Sequence, residues 1–159
     1  MKKDTKTNVM RVLDGKKIPY KSHTYEPDAT MSGEEIAVLL GEEPDRVFKT
    51  LVTQGKSRAY YVFVVPVKEE LNLKKAAKVV GEKSIEMLKS KELLPLTGYI
   101  HGGCSPIGMK KFFRTTIDIS ANYFETIIFS AGKIGFQVEV SLAELKNIID
   151  FQLEDICNE

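Results

Sequence analysis

The sequence has no tryptophan, only two cysteines and two histidines in 159 residues, and a net charge of only +1. Each scarcity removes a class of protein. Cys104 and Cys157 are far apart, so they build no disulfide framework, and a reduced compartment is the simpler setting. His23 and His101 have no companion ligands at zinc-binding spacing, which argues against metal catalysis. A balance of 23 basic against 22 acidic residues gives no general pull on nucleic acid, so only a local basic patch could provide one. Apolar runs such as residues 60–67 are far too short to span a bilayer. Met1-Lys2-Lys3-Asp4 opens no secretory signal pattern, and the expectation is a soluble, cytoplasmic protein.

What is present fits one ordinary domain. Hydrophobic residues make up 43% and charged residues 28%. Splitting 159 residues in two would leave each half short of a good core, so residues 1–159 are read as a single domain. No repeat, low-complexity tract or linker interrupts it.

Helix and strand signals alternate, which predicts a mixed α/β (α+β) domain with a largely antiparallel, barrel-like sheet and surrounding helices. A first helix spans roughly residues 5–13 and ends near Gly15. Residues 21–25 read as a strand. Ser32 and Glu35 form a capping box for a helix that Gly41 stops, and Pro44 starts a short helical turn. Residues 47–53 and 59–67 are strands joined by the hairpin loop 54–58. Leu73, Ala76, Ala77 and Val80 give an amphipathic helix capped by Asn72. Residues 84–90 read as a second short helix. Residues 115–119, 126–131 and 136–140 read as strands, the last two joined over 132–135. Ser141 opens a helix to about 149, and 151–156 is an edge strand.

Lys49 stands out because it interrupts an apolar strand. Val47, Lys49 and Leu51 share one face; Phe48, Thr50 and Val52 share the other. Such a lysine either snorkels to an edge or supplies its charge to a pocket, as an anchor for phosphate or a developing oxyanion. The loop from Gly98 to Gly108 is either a structural turn or a site where Gly102 and Gly103 let backbone N–H groups approach a ligand. It lacks the spacing of a nucleotide-binding fingerprint. Cys104 is read as a small apolar filler before it is read as a nucleophile, since a catalytic thiol needs a base and an orienting group. His23 is read as structural. Two basic groups, Lys74, Lys75 and Lys78 on one helix and Lys110, Lys111 and Arg114 after the glycine loop, are either solvated faces or contacts for a phosphate backbone.

Several segments together resemble the YbaK/EbsC family. They are His23-Thr24-Tyr25, Phe48-Lys49-Thr50-Leu51, the stretch 71–78, Gly98-Tyr99 with 102–108, and Glu125-Thr126-Ile127 with Ser130-Ala131-Gly132-Lys133. These are bacterial Cys-tRNA(Pro) deacylases, related to the editing domain of prolyl-tRNA synthetases. The resemblance covers nearly the whole chain in order. It implies an aminoacyl-tRNA substrate, no cofactor, and no DNA or membrane partner, with prolyl-tRNA synthetase as a candidate partner in a ternary complex. It implies catalytic positions at Lys49, Tyr25, Gly102 and Gly103, and substrate contacts at Thr50, Ser105, Pro106, Ser130 and Gln137. Some relatives carry Asp where this chain has Gln137, so a carboxylate role there is in doubt. The resemblance further implies that the thiol of a misattached cysteine attacks its own ester. The alternatives are a hydrolase for Ala-tRNA(Pro) or another charged tRNA, and a non-catalytic module that binds tRNA or a synthetase.

Overall fold

A computed structural model describes residues 6–26 and 31–158. The expected start of the first helix at Thr5 and the opening residues 1–4 lie outside them. Helix α1 runs Asn8–Gly15, and its N-terminus is capped by the Thr7 hydroxyl, which accepts from the Met10 N–H at 3.3 Å. Strand β1 is Lys21–Thr24. Helix α2, Gly33–Leu39, begins with the predicted capping box: Ser32 Oγ accepts from Glu35 N–H, and Glu35 Oε1 accepts from Ser32 N–H. A 3₁₀ turn at Pro44–Arg46 leads into β2, Phe48–Gly55, which turns back into β3, Tyr60–Pro66. Helix α3, Leu73–Val80, is capped by Asn72 as expected and stopped by Gly81 in the left-handed region.

The next stretch departs from the sequence reading. Residues 85–87 are a strand, β4 (Ile85–Met87), not a helix, and the helix comes later, as α4 (Ser90–Thr97). Ile85 lies opposite Gly55 on β2 and buries its side chain with α3, so pairing and burial override a weak helical pattern. Strands β5 (Arg114–Asp118), β6 (Thr126–Ser130) and β7 (Phe136–Ser141), the one-turn helix α5 (Leu142–Leu145) and strand β8 (Gln152–Glu154) complete the chain.

The strands form two sheets rather than a closed barrel. One has the order β1-β7-β6 and is antiparallel; the other has the order β4-β2-β3-β5-β8, with β3–β5 and β5–β8 parallel. They meet at a single parallel bridge between Val47 and Ile128. The main core packs α1 through Val9, Met10 and Leu13 against Phe48, Val52, Val62, Val64, Phe129 and Val138. On the opposite face of the larger sheet, α3 buries Ala76, Ala77 and Val80 against Phe63 and Val65. On that same face Ala37 of α2 packs on Val47 and Ile128. Among the described residues, no helix is long and apolar enough to cross a membrane.

Candidate active site

The junction of the two sheets leaves a gap. The Val47 carbonyl accepts from Val67 on the β3 side, so Ile128 approaches β2 from its other edge. Further along that edge, the Val52 carbonyl accepts from Leu88, and β4 pairs from Thr53 onward. Between these neighbours the stretch 48–51 has no ladder partner on that edge among the described residues. Lys49 lies in this interval, half-buried. It shares a face with Val47, which α2 covers, and with Leu51, which joins the α3 cluster. It therefore stands between two covered apolar patches, with no carboxylate within salt-bridge distance among the described residues.

Register brings other residues to it. Lys49 lies two residues beyond Val47 on β2, and Ser130 two beyond Ile128 on β6, so both follow the bridge between the sheets. Ser130 is the cross-strand partner of Gln137, and Gln137 of His23, so Ser130, Gln137 and His23 form one row on one sheet face. The Ser130 hydroxyl accepts from Gly132 N–H at 3.0 Å, which leaves its own proton free to be donated. Tyr25, half-buried, continues β1 by donating its N–H to the Gly135 carbonyl at 3.0 Å.

The glycine loop bridges from β2 to this turn. His101 and Thr50 line a common cavity of about 290 Å³ with Leu51, Val52 and Leu93; Lys49 is not in its lining. Two residues on, Gly103 lies so close to the 131–135 turn that a Cβ there would sit 3.2 Å from Ile134 N. Gly102 has φ +89°, a left-handed backbone that favours glycine, and is exposed. Tyr99 is the post that joins loop and turn. Its hydroxyl donates to the Ile107 carbonyl at 2.5 Å, and its ring would stand 2.9 Å from a Cβ at Gly132. Burial pushes the Tyr99 phenol up to about 12, so it is a neutral brace at physiological pH. Nothing in the sequence beyond its place after Gly98 marks that role.

Within the loop the predicted residues divide. Gly103 N–H is already spent on the Ile100 carbonyl at 3.0 Å, so it is not a spare donor; Gly102 N–H has no protein partner among the described residues. Ser105 is fully buried, and its hydroxyl accepts from Ile107 N–H at 3.3 Å; Pro106 is buried beside it. Both brace the loop from within rather than facing the cleft. Thr50 Oγ1 is buried and has no hydrogen-bond partner among the described residues. Gln137 is 7% exposed, and its Oε1 is likewise unpartnered.

Cys104 is buried in the main core among Tyr99 and Ile107, and burial pushes its thiol up to about 12. It is the apolar filler the sequence suggested, and a thiol so protonated is a poor nucleophile. Cys104→Ala should keep deacylation within about two-fold while lowering stability by about 1 kcal/mol, measured by single-turnover kinetics beside thermal melts. His101 is exposed. His23 is structural in part, its Nε2 lying 2.9 Å from Glu139 Oε1.

The basic groups are less available than expected. Lys75 reaches the Asp155 carboxylate at 3.1 Å and the Cys157 carbonyl at 3.0 Å, so it braces the chain end rather than offering a free charge. Lys110 and Arg114 are drawn to the carbonyls of Pro95 and Val79, each at 3.4 Å. Lys74, Lys78 and Lys111 are exposed.

Comparison with known proteins identifies the family of the chain. The aminoacyl-tRNA editing domain family matches residues 26–148. EbsC of Enterococcus faecalis, whose name proposes a Cys-tRNA(Pro)/Cys-tRNA(Cys) deacylase, is 44% identical over 98% of this chain and 95% of its own. The proline–tRNA ligase of Thermosipho melanesiensis is 28% identical over 77% of this chain, which spans only 21% of the ligase. A solved structure of a proposed trans-editing enzyme for prolyl tRNA synthetase superposes with a TM-score of 0.81 at 23% identity, covering 98% of this chain and all of that one, which shows a shared fold. The chain belongs to the aminoacyl-tRNA editing domain family and is by class an aminoacyl-tRNA deacylase.

Proposed function

We propose that this protein removes cysteine from mischarged Cys-tRNA(Pro), and from Cys-tRNA(Cys) where the two meet, with the substrate's own thiol as nucleophile. The observation that supports this reading is a thiol withdrawn from chemistry: Cys104 is buried with its thiol pushed up to about 12, while Lys49 and Ser130 follow the bridge between the sheets, Gln137 pairs with Ser130 and Gly102 is exposed.

In the proposed step the cysteinyl sulfur, as thiolate, attacks the carbonyl carbon of its own ester. The C–O bond to the terminal ribose breaks, the ribose oxygen takes a proton, and a cysteine thiolactone leaves. Gly102 N–H stabilises the carbonyl oxygen as charge develops. Lys49 holds the phosphate or ribose of the terminal nucleotide. Ser130 donates to the ester or ribose, Tyr25 closes the side nearest the turn, and Thr50 Oγ1 meets a polar group of the substrate. The exposed Lys74, Lys78 and Lys111 offer sites for the tRNA backbone. Selectivity for the tRNA body would come from prolyl-tRNA synthetase in a ternary complex.

Deacylation of tRNA(Pro) charged in turn with cysteine, alanine and serine tests the reading. Cysteine should leave at least about 100-fold faster than either, because pocket contacts alone separate such small side chains by only about 1–3 kcal/mol. Equal or faster loss of alanine would identify a water-using hydrolase. Tight binding of charged tRNA with no acceleration would identify a binding module.

A further inference from the structure

A hollow of about 880 Å³ lies at the end of the three-stranded sheet away from Ser130 and Tyr25, where β6 begins and β7 ends. Part of its wall is held together by its own charges. Arg46 lies over the Phe124 ring at 5.3 Å, pairs with Glu43 at 3.2 Å and sets Nη1 3.6 Å from Glu139 Oε2. Glu139 in turn lies 2.9 Å from His23 Nε2 and accepts from the Thr126 hydroxyl at 2.5 Å. Other lining groups are not so occupied. Lys21 and Glu125 are exposed and Glu144 half-buried, and none of the three has an ion pair among the described residues. Tyr123, which ends a 3₁₀ turn at the rim, is 84% exposed, so its ring adds almost nothing to the core.

The size is that of a pocket for an organic ligand, not for a single ion or water. The mixed charge narrows the class. Glu125 and Glu144 disfavour a bare phosphate, and Lys21 beside Arg46 disfavours an amine or a metal ion. A flat heteroaromatic ring with donors and acceptors along one edge meets both signs at once, and its face stacks on an exposed tyrosine. Among nucleobases, cytosine sets an amino donor near a carbonyl acceptor, and a carboxylate accepts from that amino group. Uracil carries a carbonyl at the same place and would meet the carboxylate with like polarity.

We propose that this hollow seats an unpaired cytosine of the tRNA acceptor end while the terminal, aminoacylated nucleotide occupies the candidate active site. Every tRNA carries two cytosines directly before its terminal adenosine. Tyr123 stacks on the base, Glu125 or Glu144 accepts from its amino group, and Lys21 donates to its carbonyl. Strand β1 supplies the track between the two places. It is an outer strand of its sheet, with Lys21, Ser22 and Thr24 exposed. Lys21 lines the hollow, and Tyr25 stands four residues on, about 13 Å away at about 3.3 Å per residue. A stacked single strand covers that span in about four nucleotides and a stretched one in fewer. The choice of tRNA as ligand rests on the deacylase reading above; the capacity of the hollow for cytosine does not.

Tyr123→Ala tests this with little risk to the fold, because the ring is so exposed. Its kcat/KM on Cys-tRNA(Pro) should fall about ten-fold, through KM with kcat kept, and Tyr123→Trp should restore it, since stacking survives that change. The loss should vanish on cysteinyl-adenosine, which lacks the cytosines. Uridine in place of both cytosines should cost wild type about ten-fold and cost Tyr123→Ala little more, because the two changes remove the same contact. Binding is also read without turnover. Titration with a short oligocytidylate should move the backbone NMR signals of Lys21 and residues 123–126, and oligouridylate should move them far less. An unchanged KM in Tyr123→Ala, an equal loss on cysteinyl-adenosine, or signals that stay still would each overturn the proposal. So would a Tyr123→Ala protein that binds RNA as wild type does but loses hold of prolyl-tRNA synthetase, which would make the hollow a protein interface. If wild type turns over no charged tRNA, the deacylase reading falls alone, and the oligonucleotide titration still decides what the hollow binds.

Discussion

Lys49→Ala should lose at least about 100-fold in single-turnover deacylation of Cys-tRNA(Pro) while melting within a few degrees of wild type. The two halves of this expectation have separate causes. Lys49 is half-buried and pairs with no carboxylate among the described residues, so its removal orphans no opposite charge. Its neighbours on that face, Val47 and Leu51, are already covered by α2 and α3, so little packing is lost. A stability change within about 0.5 kcal/mol is the usual result for such a site. On the proposed reading, the activity loss comes from removing a cation held beside the reacting group, where such a charge contributes on the order of 3 kcal/mol. Lys49→Arg should recover part of the activity, because it keeps the charge but changes reach and hydration. Salt provides the control: if Lys49 meets phosphate, raising ionic strength should weaken wild type more steeply than the alanine variant. Activity of Lys49→Ala within three-fold of wild type would remove this residue from the site.

Lys49 draws attention in the sequence for a simple reason. A charge inside a run such as Val47-Phe48-Lys49-Thr50-Leu51 breaks the apolar pattern on a strand with two covered faces, and only an edge or a pocket accommodates it. Asn72 and the apolar spacing of α3 were equally plain, because a cap and a helical stripe are local. What stayed hidden depends on distant partners. Residues 85–87 carry too little pattern to show that Ile85 would pair across from Gly55. Helix α4 was masked by Pro95, which stands inside it and reads as a breaker. The sheets stop short of a closed barrel because, among the described residues, an isolated bridge at Val47–Ile128 joins β6 to β2 and no ladder follows it. Residue type gives no sign that Glu42 is buried and Glu43 is not; the packing of β1 and β7 beside them shows it. Ser105 and Gly103 erred the other way, since residue type alone does not show that a hydroxyl or an N–H is already taken within its own loop.

Capping the substrate thiol should be as damaging as removing Lys49. S-methylcysteinyl-tRNA(Pro) keeps the size and shape of the natural side chain to within one methyl group, and a pocket penalises a methyl by about 1–3 kcal/mol at most. If the sulfur is only recognised, the capped ester should lose between about 10-fold and 200-fold in kcat/KM, chiefly through KM. If the sulfur is the nucleophile, kcat itself should fall to the rate of spontaneous ester loss, because a thioether has no proton to lose and forms no thiolactone. The pH dependence separates the cases further. A free thiol has a pKa of about 8.5, so the thiolate fraction, and with it the rate on the natural substrate, should rise roughly ten-fold per pH unit below that value and level off above it. The protein contributes no competing thiolate, since Cys104 and Cys157 are both pushed up to about 12 by burial. A Cys104→Ala, Cys157→Ala double variant should therefore show the same rise. A flat profile on Cys-tRNA(Pro), or ready turnover of the S-methyl ester, would make water the nucleophile and turn Lys49 and Gly102 into groups that hold an ester for hydrolysis.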